Sequence, residues 1–342
     1  MARRPGEKGP GLRGLLRLRL DFHNMRFIAA AVLLLVSFSA SAQSYPSKPI
    51  RFLAGYPPGG GVDNVARALG EKLSPRLGQQ IVVENRPGAG GAIANDAVTK
   101  SAPDGYTLLI GPIGTQAILQ YSLPKRTYDF GRDLTPVSRI GYGTIIFVVP
   151  AASKAQSVKD FVAMAKASPG KLTFASSGTG ALIHLTGELF KQAAGLDLLH
   201  VPYKGTTQIL PDLLDGRIDM ALDSAPAYLP HLKAGRVRAM AVASPKRSAL
   251  MPDLPTMAEA GVPGVVSQTD YAVYAPAGTP RDVIALLNRE VNAVLQMEDF
   301  RARMASLGVE VAGGTPESLH AEYTDELAKW GKVIRDAKLK FE

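Results

Sequence analysis

Ile50-Arg-Phe-Leu-Ala-Gly-Tyr-Pro-Pro-Gly-Gly-Gly-Val-Asp-Asn-Val-Ala-Arg-Ala-Leu69 reads as a strand, a glycine turn and a helix in direct succession. Residues 50–54 are a short, mostly apolar run of strand length. Tyr56-Pro-Pro-Gly-Gly-Gly61 breaks it, and Val62, Val65, Ala66, Leu69 and Leu73 then recur three and four apart, the spacing of one helix face. A helix is expected over 62–77. The same order returns at once: strand 81–83, turn Arg86-Pro-Gly-Ala-Gly-Gly91, helix 92–100, strand 106–110. Strands alternating with helices predict an α/β fold, with a parallel sheet covered by helices on both faces.

Working outward, the rhythm lapses over 119–142 and restarts at 145–149. Helices are expected at 158–167, 181–194, 205–214 and 227–234, and strands at 172–175, 198–201, 218–222 and 237–243. A further strand, 271–275, and two amphipathic helices, 281–295 and 316–338, close the chain. Two blocks of alternation give two lobes: lobe one from 45–145 plus 266–342, lobe two from 146–265. No internal repeat or low-complexity linker interrupts them.

The 342 residues carry a net charge of +9, of which residues 1–42 hold +5, leaving +4 for the rest. No basic run or aromatic-spaced basic stripe occurs, which argues against a nucleic-acid partner. The early charge belongs to an address label. Met25-Arg26 precedes an apolar and small run from Phe27 to Phe38, and Ala40-Ser41-Ala42 supplies the small–x–small pattern read by signal peptidase. Twelve residues at about 1.5 Å rise reach only about 18 Å, short of the ~30 Å hydrocarbon core of a membrane. Residues 1–42 are therefore expected to be a signal peptide cut before Gln43, with the mature protein in the periplasm. Residues 1–24 fit neither a helix nor a basic leader, so Met25 is an alternative start. The chain has no cysteine, which excludes disulfides and thiol chemistry and leaves the compartment open.

Three glycine-rich turns each lead from a strand into a helix: Pro57-Pro-Gly-Gly-Gly, Arg86-Pro-Gly-Ala-Gly-Gly and Ser176-Ser-Gly-Thr-Gly. A helix start leaves about four N–H donors unpaired and carries about half a positive charge, so such turns are suited to a carboxylate or phosphate. One such turn is ordinary helix-starting chemistry; three in one chain point to anion binding. None ends in the Gly-Lys-Ser/Thr of a P-loop, and Gly88-Ala-Gly90 lacks the third spaced glycine of a dinucleotide fingerprint. No Gly-x-Ser-x-Gly elbow is present, and Ser122-Leu-Pro-Lys125 and Ser168-Pro-Gly-Lys171 lack the partner motifs of Ser-x-x-Lys enzymes. The five histidines show no metal spacing. Neither catalytic residues nor a metal or cofactor is expected. Asp63 most simply complements the dipole of its helix, His184 stands four before Glu188, Asp223 ends a strand where cleft residues of open α/β sheets gather, and Trp330 reads as core.

Four strings carry a resemblance: Tyr56-Pro-Pro-Gly-Gly-Gly-Val-Asp63, Glu84-Asn-Arg-Pro-Gly-Ala-Gly-Gly91, Ala102-Pro-Asp-Gly-Tyr-Thr-Leu-Leu109 and His200-Val-Pro-Tyr-Lys-Gly205. Together they closely resemble the Bug receptors, the substrate-binding proteins of the tripartite tricarboxylate transporter family. His184-Leu-Thr-Gly-Glu-Leu-Phe190, Asp212-Leu-Leu-Asp-Gly-Arg-Ile-Asp219 and Ala275-Pro-Ala-Gly-Thr-Pro280 add to it, so the likeness runs from Tyr45 to the end. It implies a type II periplasmic binding protein fold, two α/β lobes closing over a small organic carboxylate held mainly by main-chain groups and ordered waters. Carried over by position, Tyr56, Gly59, Gly60, Ala89 and Gly90 would line the cleft from lobe one. Ser177, Gly178, Thr179, Tyr203 and Asp223 would line it from lobe two. Many relatives have Ser or Thr with Pro before the His-Leu pair, whereas Ala181-Leu182-Ile183 stands here, so ligand identity does not carry over. The implied partners are integral-membrane transporter subunits, with a membrane sensor kinase as the alternative; an enzyme on this fold is a third reading. The receptor is expected to act as a monomer.

Overall fold

The computed structural model describes residues 45–341 apart from Pro124. The expected signal peptide, its expected cleavage point and the alternative start lie outside the described residues. The first lobe opens with β1 (Ile50–Ala54), α1 (Gly61–Leu77) and β2 (Ile81–Asn85). Helix α1 buries Val62, Val65, Ala66, Leu69 and Leu73 and stops at Gly78, whose left-handed conformation (φ 66°) closes the helix end. A short 3₁₀ turn (Ala89–Gly91), α2 (Ala92–Thr99) and β3 (Thr107–Gly111) come next. Then come α3 (Ile113–Ser122), the single turn α4 (Phe130–Asp133) and the 17-residue strand β4 (Leu134–Pro150).

The second lobe runs through α5 (Val158–Ala167), β5 (Thr173–Ser176), α6 (Leu182–Ala194), β6 (Leu199–Pro202), α7 (Thr206–Leu214), β7 (Met220–Ser224), α8 (Leu229–Lys233) and β8 (Val237–Val242). The chain returns along β9 (Gln268–Pro276) and finishes with α9 (Arg281–Leu295), α10 (Glu298–Ser306), β10 (Val309–Val311) and α11 (Pro316–Asp336).

The strands form one curled, mixed sheet in the order β2-β1-β3-β9-β4-β7-β5-β6, with β8 and β10 also on β4. The expected parallel pairing is found among β1, β2 and β3 and among β5, β6 and β7; the other strand pairings are antiparallel. The reason lies in the crossings. Strand β4 pairs with β9 from Leu134 to Thr144, then with β7 and β8 from Ile145 onward, so one strand serves both lobes. β9 returns antiparallel to β4 and to β3. A chain that leaves one lobe and comes back must run against itself at the crossing.

Apolar packing follows the lobes. Phe52, Val65, Leu69, Val273, Leu287 and Phe300 fill the first, and Ile146, Val148, Ile209, Leu213 and Tyr228 one face of the second. A larger cluster joins them, from Leu109, Ile113, Tyr274 and Trp330 to Phe147, Phe161 and Phe190. Each such side chain contributes about 1.5–3 kcal/mol of burial. Helix α11 packs on α3 and β4 and also reaches α6, where Gln192 Nε2 donates to the Val333 carbonyl (3.0 Å).

Candidate ligand-binding site

A cavity of about 1040 Å3 opens between the lobes. Its walls are helix starts. From the first lobe come Pro57, Gly60, Gly61 and Val62 at the start of α1, Ala89 and Gly90 before α2, and Pro112 and Thr115 at the start of α3. From the second come Ser177, Gly178, Thr179, Gly180, Ala181, Leu182 and Ile183 at the start of α6, Thr206 at the start of α7, and Ser224. Thr269 and Tyr271, alternate residues of the crossing strand β9, add the floor. Helices α1, α6 and α7 have no side chain capping their first turn. Their first-turn N–H groups therefore face an open, partly apolar space with about half a positive charge at each end.

Behind each wall sits a buried carboxylate already engaged by its own lobe. Asp63 accepts from the Gly59 N–H (2.9 Å), Arg67 Nε (3.0 Å) and Asn85 Nδ2 (2.9 Å), and Asn85 also donates to the Tyr56 carbonyl (3.0 Å). Burial opposes its ionisation, but these donors outweigh burial and hold its carboxyl below the ordinary range. Asp270 on β9 accepts from the Ile113 and Gly114 N–H groups. The N-terminus of α3 is thus filled by the protein's own acid. Burial, with Glu326 nearby, pushes Asp270 up to about 7. Asp223 accepts from the Ser224 N–H (2.7 Å), Thr206 Oγ1 (3.0 Å) and the Tyr228 hydroxyl (3.0 Å), and burial pushes its carboxyl up.

Close approach shapes the first-lobe wall. A methyl group on Gly55 would stand 2.5 Å from the Gly91 Cα, and one on Gly61 would stand 2.8 Å from the Tyr271 hydroxyl. Tyr56 lies across this packing and donates to the Gly90 carbonyl (3.2 Å); burial pushes its phenol well above the ordinary range. Ala89 takes a left-handed conformation (φ 46°), a strain of about 1–2 kcal/mol for a residue with a Cβ.

The second-lobe turn is held from behind by two stacked imidazoles. The Gly180 N–H donates to His184 Nδ1 (3.0 Å), and His200 Nε2 lies 2.6 Å from Ser176 Oγ, which also accepts from the Gly178 N–H (3.2 Å). The two rings stack with centroids 3.9 Å apart, and Phe174 stacks on His200 at 4.9 Å. Burial pushes His184 down to about 3 and His200 down to about 4, with the neighbouring positive charge of Lys191 acting in the same direction. Both are neutral at physiological pH.

The model of the tripartite tricarboxylate transporter family receptor matches residues 65–339. The chain belongs to this receptor family. BugT of Bordetella pertussis is 39% identical over 317 residues, covering 92% of this chain and 96% of that one. The R. palustris protein Rpa4515, solved with adipate, is 35% identical with a TM-score of 0.77, over 87% of this receptor and all of that chain. MatC from Rhodopseudomonas palustris, solved with bound malate, is 30% identical with a TM-score of 0.72, over 85% and 100%.

Of the residues expected from the sequence of this receptor, Tyr56, Gly60, Ala89, Gly90, Ser177, Gly178 and Thr179 line the cavity together. Gly59, Tyr203 and Asp223 do not line it. Gly59 spends its N–H on Asp63. The Tyr203 hydroxyl turns back to Asp212 (2.7 Å) within its own lobe. Asp223 stands one layer behind, where it holds Thr206 and Ser224, which do line the space. Arg86, the one cation of the glycine turns, pairs with Glu84 (2.6 Å) and is not part of the wall. Sequence reasoning missed the α3 residues, the β9 floor, Thr206 and Ser224, and Lys340 and Phe341. Period-two alternation would have paired Thr269 with Tyr271 once β9 was known to cross; nothing local marked Lys340.

Proposed function

We propose that this receptor captures a small organic carboxylate in the cleft and holds it through main-chain N–H groups at the starts of α1, α6 and α7. In this reading it works in the periplasm after export, doing no chemistry on the ligand, and hands it to the membrane subunits of a tripartite tricarboxylate-type transporter. Residues 45–145 with 266–342 act as one rigid lobe and 146–265 as the other, closing about the β4 and β9 crossings. The ligand contacts fall on Tyr56, Gly60, Ala89 and Gly90 from one side and Ser177, Gly178 and Thr179 from the other.

One observation carries this reading: three helix starts without side-chain caps meet at one cavity whose described lining residues include no Asp or Glu. Uncompensated N–H donors and no acidic wall favour an anion over a cation or a neutral solute. The structures of relatives with adipate and malate support the same choice of ligand class. Calorimetry with an acid and its primary amide tests it. A carboxylate gripped by charge-assisted hydrogen bonds should bind about ten- to a hundredfold more tightly than the amide. Equal affinity for the pair would remove anion recognition from the account.

A further inference from the structure

Helix α11 ends in an unusual way for its residue types. Lys338, not glycine, takes the left-handed position (φ 53°) that reverses the chain, with its N–H donating to the Arg335 carbonyl (3.0 Å) and the Leu339 N–H donating to the Ile334 carbonyl (3.1 Å). These two bonds are the signature of a helix end that folds back on itself. The strain of a lysine in this conformation is offset by apolar packing just beyond it. Leu339 and Phe341 lie against the large cluster shared by the lobes, and residues 340 and 341 arrive at the ligand cavity.

Phe341 sits where the lobes meet. A methyl group on Gly180, in the second-lobe turn, would stand 3.1 Å from the Phe341 ring and 3.7 Å from Ser122 Cβ at the end of α3. Lys340 precedes it and lines the cavity while remaining solvent-exposed. Among the described residues that line the cavity, Lys340 is the one basic side chain, and no Asp or Glu stands with it. No described Asp or Glu forms an ion pair with it. A cleft with helix starts at one part of its wall and one lysine at another offers two places for negative charge.

We propose that the segment after α11 is a third wall of the cleft, with Phe341 covering the seam between the lobes and Lys340 selecting ligands that carry a second anionic group. The inference rests on the carboxylate reading above and adds to it which residue reads the far end of the ligand. Because Lys340 is exposed, its attraction is partly screened, so its contribution is several-fold in affinity and declines with salt.

The test compares two series on the intact receptor: the diacids succinate, glutarate, adipate and malate, and the monoacids butyrate, valerate and hexanoate. Melting shifts rank them, and calorimetry at low and high salt gives affinities for the wild type, Lys340→Gln, Lys340→Arg and Phe341→Ala. Lys340→Gln should lose about three- to tenfold in diacid affinity at low salt, several times more than it loses for monoacids, and Lys340→Arg should restore most of it. Phe341→Ala should weaken both series alike. If diacids bind wild type and Lys340→Gln equally, or if only monoacids bind the wild type, selection by Lys340 is wrong while the carboxylate reading stands. If Phe341→Ala binds both series as the wild type does, the wall is wrong. If no acid of either series binds, the carboxylate reading fails and takes this inference with it.

Discussion

At the scale of single residues, the cleft is lined by groups whose side chains do little. Gly60 is the clearest case: its backbone is extended (φ −73°), so a larger residue there is free of left-handed strain, and a Cβ would meet only the Pro57 carbonyl at 3.2 Å. Gly60→Val should therefore fold, yet place two methyl groups at the start of α1 where a ligand has to reach main-chain N–H groups. Its affinity for a bound carboxylate should fall tenfold or more, about 1.4 kcal/mol. Arg86→Ala, which loses a half-exposed pair with Glu84, should change affinity less than threefold, in keeping with the ~0–1 kcal/mol of such pairs. Calorimetry on both variants, with melting curves to confirm folding, decides between main-chain and arginine recognition. Gly178→Val is a harsher probe, because φ there is 137° and any side chain adds strain. The glycine turns were legible because glycine at a strand-to-helix junction has a backbone reason to be there. Tyr203 and Asp223 were not legible as second-row residues, since only the fold reveals that Tyr203 turns away to Asp212 and that Thr206 stands between Asp223 and the space.

At the scale of elements, α3 shows how a helix start can be withdrawn from binding. Its first-turn N–H groups are taken by Asp270, a fully buried acid with a raised pKa near 7. Between its ordinary value of 3.8 and about 7, the folded protein keeps a proton that the unfolded chain releases. Stability from this group therefore falls as pH rises through that window, by at most about 1.4 kcal/mol per pH unit. Asp270→Asn retains an acceptor for the helix and cannot ionise. Its melting temperature relative to wild type should climb from pH 4 to pH 7 and level off above; groups common to both proteins cancel in the difference. A difference that stays flat across pH would show that Asp270 is not the titrating group. Sequence periodicity located most elements but passed over α3, α4, α10, β10 and most of β4. In α3 the buried residues Ile113, Gly114, Gln116, Ala117, Ile118 and Leu119 run around the helix and include a polar one, because β9 and α11 pack on it from different sides, which erases a one-sided apolar stripe. The part of β4 that was missed, 134–144, contains Pro136, Gly141 and Gly143 and slips register against β9 after Pro136 and after Arg139, so it lacks the regular alternation of a strand.

At the scale of the whole molecule, the proposed export predicts a mass. Expressed with its own leader in a bacterial host, the mature receptor should begin at Gln43, as measured by intact mass spectrometry. A product that retains residues 27–38 would overturn the signal-peptide assignment. The two-lobed α/β plan was legible because two runs of strand–helix alternation flank a gap in the rhythm. The mixed direction of the sheet was not, because strand polarity at a crossing depends on where the chain returns, and no local pattern encodes that.

Strand β4 also fixes an order of events in time. Leu134 pairs with Pro276, and Leu109 with Tyr274. The sheet begun by residues 50–54 therefore lacks its central partner until β9, Gln268–Pro276, has been made. The 145–242 segment, by contrast, holds β5, β6, β7 and β8 with their connecting helices and can pair within itself as soon as it emerges. Closing so long a loop is slow relative to pairing neighbours. The lobe that starts first is thus the one that finishes folding last, because its sheet stays open until β9 returns.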